Sequence, residues 1–297
     1  MSNGTQSLSR KIDTAADLQS VVRTMKALAA SNIGQYERSV KGLGDYYAAV
    51  QLGLGACFRE NARMGVADAP QIGAKPPMIG AVVFGSDQGL VGQFDDVVAD
   101  YAIKSLAALP AKALIWAVGE RVRARLANGG LKLAGTFAVP NTVAAITHLV
   151  GQIQIESEAH RAQGEYAELW LFHNRPTSGS QYEPVGQRLL PLDAWWQAGI
   201  VKIGWPTSNL PEVIGDTLVT LRALVREYLF ISLFRACAES LASENASRLA
   251  MMQRADKNIT DLQEQLHARF HQMRQSGIDE ELFDVVSGFE ALGGSRQ

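Results

Sequence analysis

The sequence predicts an inserted α/β domain carried on a long antiparallel α-helical coiled coil, the coil being formed by the N- and C-terminal helices. Three observations predict it. The run Tyr228–Leu292 contains no proline, and Met252, Ala255, Ile259, Leu262, Leu266, Phe270 and Met273 recur at steps of three and four. That spacing puts all seven on one helix face. Leu18, Val22, Met25, Ala29, Ile33, Tyr36, Val40, Leu43, Tyr47, Val50 and Leu54 follow the same rule, with one extra step of four near Ile33. Stripes this narrow suit a partner helix better than a sheet. Between the two stripes, short apolar runs alternate with helical patterns, which argues for a mainly parallel sheet with crossover helices.

The first helix is predicted from about Leu8 to Arg63. Gly34, Gly42, Gly44, Gly53 and Gly55 lie in it, and each interior glycine costs ~1 kcal/mol against alanine. Its second half therefore relies on packing or is broken. Ala69–Pro77, with three prolines and a glycine, reads as a linker. Ile79–Phe84 reads as a buried strand that ends in a glycine-rich turn. A helical pattern follows at Phe94–Ala108, a second strand at Ala113–Val118, a short basic helix at Glu120–Ala127 and a third strand at Leu131–Ala138. Asn141 is placed to N-cap a helix reaching about His160. Tyr166–Asn174 and Val185–Leu192 read as further strands, and Trp205–Pro211 closes the domain, with Pro211 placed to start the last helix. The expected division is 1–68, 69–210 and 211–297.

At 297 residues and 47% apolar content, the chain can bury a sizeable core. A formal net charge of -2 and a pI near 6.2 give no case for nucleic-acid binding. Cys57 and Cys237 make no disulfide framework, so a reducing cytoplasm fits. No basic stretch followed by an apolar run opens the chain, so no signal peptide is expected. No uncharged apolar run reaches the ~18 residues needed to span a bilayer. Leu224–Phe234 comes nearest, but Arg226 and Glu227 interrupt it. Any membrane attachment then passes through a partner.

Gly85, Gly89 and Gly92 follow a strand and precede a helix, where a phosphate-binding loop sits. The loop has no Gly-Lys-Ser/Thr end and no basic residue, while Asp87 and Asp95 would repel phosphate. A tight turn that lets helix pack on sheet is the reading adopted. His267 and His271 share a helix face at zinc-ligand spacing, but no third ligand and no metalloprotease glutamate accompany them, so they read as solvated. His148, His160 and His173 have no partner nearby in sequence that would make a site. Glu280-Glu281 and Asp95-Asp96 read as surface charge, because adjacent helical residues diverge. No catalytic, cofactor-binding or metal-ligating residue is assigned.

Val21–Ile33, Gly85–Asp95, Glu239–Leu266 and Arg274–Leu292 together resemble, in order, the gamma subunit of F-type ATP synthases. The resemblance covers nearly the whole chain. It implies that the inserted domain is Rossmann-like without a catalytic nucleotide. It also implies a central-stalk rotor that couples ion translocation to ATP synthesis or hydrolysis. About 80 helical residues at 1.5 Å each make a shaft of ~120 Å. The implied partners are the alpha and beta subunits of the catalytic head, an epsilon-type subunit and the membrane c-ring. No nucleic acid, cofactor or small-molecule substrate is implied for this chain. The implied place is peripheral, on the cytoplasmic face of a bacterial inner membrane. By the same resemblance, Arg23, Met25, Lys26, Arg248, Arg254, Arg274, Gln275 and Asp279 contact the catalytic subunits.

Several positions depart from the family pattern. Gln88 stands where an Arg is usual, Val91 where a Cys is, Gln93-Phe94-Asp95 for Gly-Phe-Asn, and Asp279-Glu280 for Thr-Gln. Ser31-Asn32-Ile33-Gly34-Gln35 lacks the usual basic cluster. These departures read as a divergent branch, of the kind expected for an alternative ATPase with a Na+-translocating ring. A stand-alone α/β binding protein with a coiled-coil dimerisation arm is the alternative, and a nucleotide-fold enzyme a third reading.

Overall fold

The computed structural model describes residues 3–64, 78–178, 181–209 and 211–293. The expected linker at 69–77 lies outside the described residues. In chain order the elements are α1 (Asn3–Met64), β1 (Met78–Phe84), α2 (Phe94–Ala107), β2 (Lys112–Val118), α3 (Glu120–Asn128), β3 (Lys132–Phe137), α4 (Val143–Ala162), β4 (Tyr166–Pro176), β5 (Tyr182–Leu190), α5 (Ala194–Val201) and α6 (Thr217–Gly293). The described residues form two compact units. One comprises the chain up to Leu28 and from Leu249 onward, and the other lies within Ala29–Arg248.

In the first unit α1 and α6 pack antiparallel. Gln19 meets Thr260 at 3.0 Å, while Lys26 meets Asp256 at 2.7 Å. Burial along α1 returns in steps of four and three at Ala15, Gln19, Val22 and Lys26 in this unit, and at Ala29, Ile33, Tyr36, Val40, Leu43, Tyr47, Val50, Leu54 and Cys57 within the second unit. Along α6 it returns at Met252, Asp256, Ile259, Gln263, Leu266 and Phe270. The seam needs no extra step near Ile33, because the polar residues Gln19 and Lys26 hold seam positions that an apolar reading passes over. Leu18, 54% exposed, and Leu262, 47% exposed, lie off the seam, as does Met273. A polar residue at a seam position specifies register at some expense of stability.

The second unit is built on a five-stranded sheet in the order β3-β2-β1-β4-β5. β1 pairs in parallel with β2 and β4, and β2 with β3, whereas β5 runs antiparallel to β4. Side chains alternate between faces. Ile79, Ala81, Val83, Ala113, Ile115 and Ala117 pack with residues of α2 and α3. Val82, Phe84, Leu114, Trp116 and Val118 pack with residues of α1, α4 and α6.

Two helix starts differ from expectation, and one helix is additional. Thr142, not Asn141, caps α4, its Oγ1 accepting from the Ala145 N–H at 3.2 Å. Asp216, not Pro211, starts α6 and accepts from the Leu218 N–H at 2.8 Å. α5 was not foreseen. Asp193 caps it by accepting from the Trp196 N–H at 2.7 Å, and Trp196 packs on Tyr228 with centroids 4.9 Å apart. α1 is continuous through its glycines. A Cβ at Gly53 would stand 3.1 Å from Leu224, and one at Gly55 3.2 Å from the Ile200 carbonyl oxygen. Close approach at these two positions offsets their poor helix propensity.

Candidate functional site

The glycine-rich loop after β1 is stitched to its own surroundings. Asp95, in the first turn of α2, accepts from the Ser86 N–H at 2.7 Å and from the Ser86 hydroxyl at 2.6 Å. Burial raises the Asp95 carboxyl above the usual range, while those hydrogen bonds and Arg121 pull the other way. Asp87 accepts from the Glu120 and Val139 N–H groups at 2.9 and 2.8 Å. The Ser247 hydroxyl of α6 donates to the Val91 carbonyl, and the Asn174 amide of β4 to the Phe94 carbonyl. Both carboxylates thus bind backbone donors, and the loop serves as the joint between sheet and helix.

α6 carries an unusual run of buried polar residues there, among them Glu239, Ser240, Ser243, Glu244, Asn245 and Ser247. Glu239 accepts from Arg235 at 2.7 Å and from His173 at 2.8 Å, with Arg175 at 3.6 Å. Burial alone would raise this carboxyl, but the bonds from His173 and Arg235 outweigh it and hold it down at about 2. Burial pushes His173 below its ordinary value. One helical turn on, Glu244 accepts from Arg248 at 2.5 Å, and its Oε2 is buried without a partner among the described residues. Burial lifts Glu244 to about 7 despite Arg248, with Asp95 and Asp87 adding to the rise.

A carboxyl raised in the folded state stabilises fully below its unfolded value near ~4.3, and that contribution is lost as pH rises through about 7. Glu244→Gln, which cannot ionise, is therefore expected to flatten the fall in stability between those two values. Urea midpoints measured across that range check this, and an unchanged slope would reject it.

In the first unit, Asp256 is the centre of a polar cluster. Lys26 lies at 2.7 Å, Arg23 at 3.4 Å and the Gln19 amide at 3.3 Å, and the Lys26 bond chiefly holds the Asp256 carboxyl below the usual range. Met25 is half-buried beside them, while Arg254, Arg274, Gln275 and Asp279 are exposed. Arg23, Lys26 and Arg248 are thus engaged within the chain. His267 and His271 are exposed. His160, expected to lack a local partner, meets Glu165 at 3.0 Å, and His173 finds Glu239 across the fold. Asp256, Glu239 and Glu244 were missed as centres. The four-residue spacing of Arg235 to Glu239 and Glu244 to Arg248 was the available signal.

Among the described residues, no helix is long and apolar enough to cross a membrane. A family model described as ATP synthase matches residues 4–292. The ATP synthase gamma chain of Ralstonia nicotianae is 24% identical over 97% of this chain and 99% of its own length. That of Polynucleobacter necessarius is 22% identical, again over 97% and 99%. Among solved structures, a chain of the Euglena gracilis mitochondrial ATP synthase rotor matches with a TM-score of 0.64 at 13% identity, over 93% of this chain and 99% of that one. One from the central stalk and c-ring of the Tetrahymena thermophila enzyme gives 0.56 at 18% identity, over 79% and 99%. The likeness of fold, with its sheet and two long terminal helices, accompanies a family match across nearly the full length, and the chain belongs to the gamma-chain family, the non-catalytic central-stalk subunit of F-type ATP synthases.

Proposed function

We propose that this chain is the rotor shaft that transmits torque between a membrane c-ring translocating H+ or Na+ and the alpha and beta subunits of the catalytic head. An epsilon-type subunit sits against its α/β domain, and the assembly stands on the cytoplasmic face of a bacterial inner membrane. The division into 1–68, 69–210 and 211–297 belongs to the same reading. The carrying observation lies at the end of α6, where Met273, Ile278, Leu282, Phe283, Val285 and Val286 are all exposed. An exposed apolar stretch of this kind marks a surface made to be covered by a partner. The chain supplies differential contacts to the conformational states of that partner and makes no bonds itself. Tagged chain is expected to bring down alpha- and beta-type subunits. Recovery of only a dimer of this chain would favour the coiled-coil dimerisation arm instead. Purified chain alone is expected to hydrolyse no ATP.

Arg23, Met25, Lys26, Arg248, Arg254, Arg274, Gln275 and Asp279 are the proposed contacts with the catalytic subunits. Arg274 and Gln275 are the sharpest test because both are exposed. Arginine offers five donors, and glutamine two donors and an acceptor. Hydrogen bonds to charged groups contribute ~1.5–3 kcal/mol each, weak enough to break at every step of rotation. Arg274→Ala with Gln275→Ala is expected to leave folding within ~0.5 kcal/mol. It should lower ATP turnover of the assembled complex by about tenfold, the loss of one such bond. Unchanged turnover in a correctly assembled complex would remove these residues from the contact set.

A further inference from the structure

Beside the His173–Glu239 pair lies a pocket of about 160 Å³, bounded by β4, β5, α6 and Tyr47 of α1. Arg175 and Arg235 stand on its rim, with side chains 47% and 54% exposed. Each reaches Glu239 through Nε, and a guanidinium so engaged still has its terminal N–H groups to offer. Glu239 is already satisfied. Its Oε1 is taken by Arg235, and its Oε2 by His173 and Arg175. Two guanidinium charges against one carboxylate leave one positive charge at the rim. His173 is buried, and its Nδ1 has no partner among the described residues.

We propose that this pocket binds a small oxyanion, a phosphate or a carboxylate group, between Arg175 and Arg235, and that binding draws one proton onto His173. Bidentate guanidinium donors fit either anion. With Glu239 ionised, the proton on His173 sits at Nε2 and is donated to Glu239, which leaves a lone pair on Nδ1. An anion nearby favours the charged ring, in which both nitrogens donate. The charged groups facing His173 are Glu239 and Arg235 from α6 and Arg175 from β4, while Tyr47 of α1 lines the same pocket. Burial lowers the proton affinity of the ring without the anion, and an anion beside the unpartnered Nδ1 opposes that, so binding takes up a proton and tightens as pH falls. The site does not depend on the proposed rotor role.

Calorimetric titration of the full chain with sulfate, which keeps its charge between about pH 6 and about pH 8, tests this across the range where histidine titrates. Saturable binding is expected, tighter at the lower pH. Arg175→Gln with Arg235→Gln should weaken it about tenfold or more, and Arg175→Lys partly, since lysine keeps the charge but not the fork. His173→Gln should still bind but lose the pH dependence. Parallel titrations with inorganic phosphate and acetate separate the sources. Sulfate and phosphate without acetate identify a phosphate-type ligand, and acetate binding identifies a carboxylate. Both arginines also hold the buried Glu239, so Arg175→Lys, which keeps a charge there, is read beside the double variant, and circular dichroism checks that each stays folded. Absence of arginine-dependent binding for all three anions would overturn the site. Equal affinity at both pH values would overturn the proton uptake.

Discussion

Replacing Trp116 by alanine is expected to remove about 2 kcal/mol of stability, a large share of the ~5–15 kcal/mol typical of a folded domain. Trp116 is fully buried on β2, in edge-to-face contact with Tyr166 and His160 at 5.6 and 5.4 Å between centroids. Emptying such a site costs ~3–5 kcal/mol in lost transfer energy and cavity. One effect opposes this. The indole Nε1–H is buried without a partner among the described residues, and its removal recovers ~1–3 kcal/mol. The cavity wins because the sheet and α4 cannot collapse fully into the space. Trp116→Phe separates the two effects, since it keeps most of the ring and deletes the donor. It should cost less than alanine does, because the void left by an indole cut to a phenyl ring is smaller. Urea unfolding of both variants checks the pair. An alanine variant no weaker than the phenylalanine variant would show that the site does collapse.

Gly119→Ala should be at least as damaging, for a different reason. Gly119 follows β2 and is the N-cap residue of α3, at φ +112. Such a backbone costs a side chain of ordinary handedness ~1–3 kcal/mol. A Cβ there would also stand 2.7 Å from the Ser86 carbonyl oxygen and 2.9 Å from its nitrogen. Ser86 cannot retreat. Its N–H is held by Asp95 at 2.7 Å, and its carbonyl by the Arg121 N–H at 3.0 Å. Overpacking adds ~1–3 kcal/mol, so a total of about 2–6 kcal/mol is expected. Gly130→Ala is the control. Its φ is +78, with nothing within 4 Å of the added carbon, so only the ~1–2 kcal/mol of backbone strain remains. Thermal unfolding of the two variants should separate them clearly. Equal losses would mean that the Ser86 loop yields.

The strands at Ile79–Phe84 and Ala113–Val118 were legible within a residue, because a buried parallel strand is a continuous apolar run. The long helices were legible from their three-and-four spacing. The seam itself was misplaced by a residue at Leu18 and Leu262. Its true members there, Gln19, Lys26, Asp256 and Gln263, are polar, and hydropathy cannot announce residues such as Gln19 and Lys26, which pair with Asp256 more than 200 positions away. The same limit hid Glu239, whose partner His173 lies 66 residues back. The caps at Thr142 and Asp216 were missed for a smaller reason: several neighbours could serve, and hydrogen-bond geometry alone chooses among them.

The sequence by itself determined the kind of fold, the presence of two long terminal helices and the family, because periodicity and motif order are local properties that survive at low identity. Only the tertiary structure decided the rest. It showed that α1 runs unbroken through its glycines, since Gly53 and Gly55 permit close approach to Leu224 and Ile200. It showed that the glycine loop is a joint, since Asp87 and Asp95 bind backbone amides instead of leaving them for a phosphate. And it brought His173, Arg175 and Arg235 around Glu239. Each of these rests on what a side chain meets across the fold, and the distances that decide such meetings are set by packing rather than by spacing along the chain.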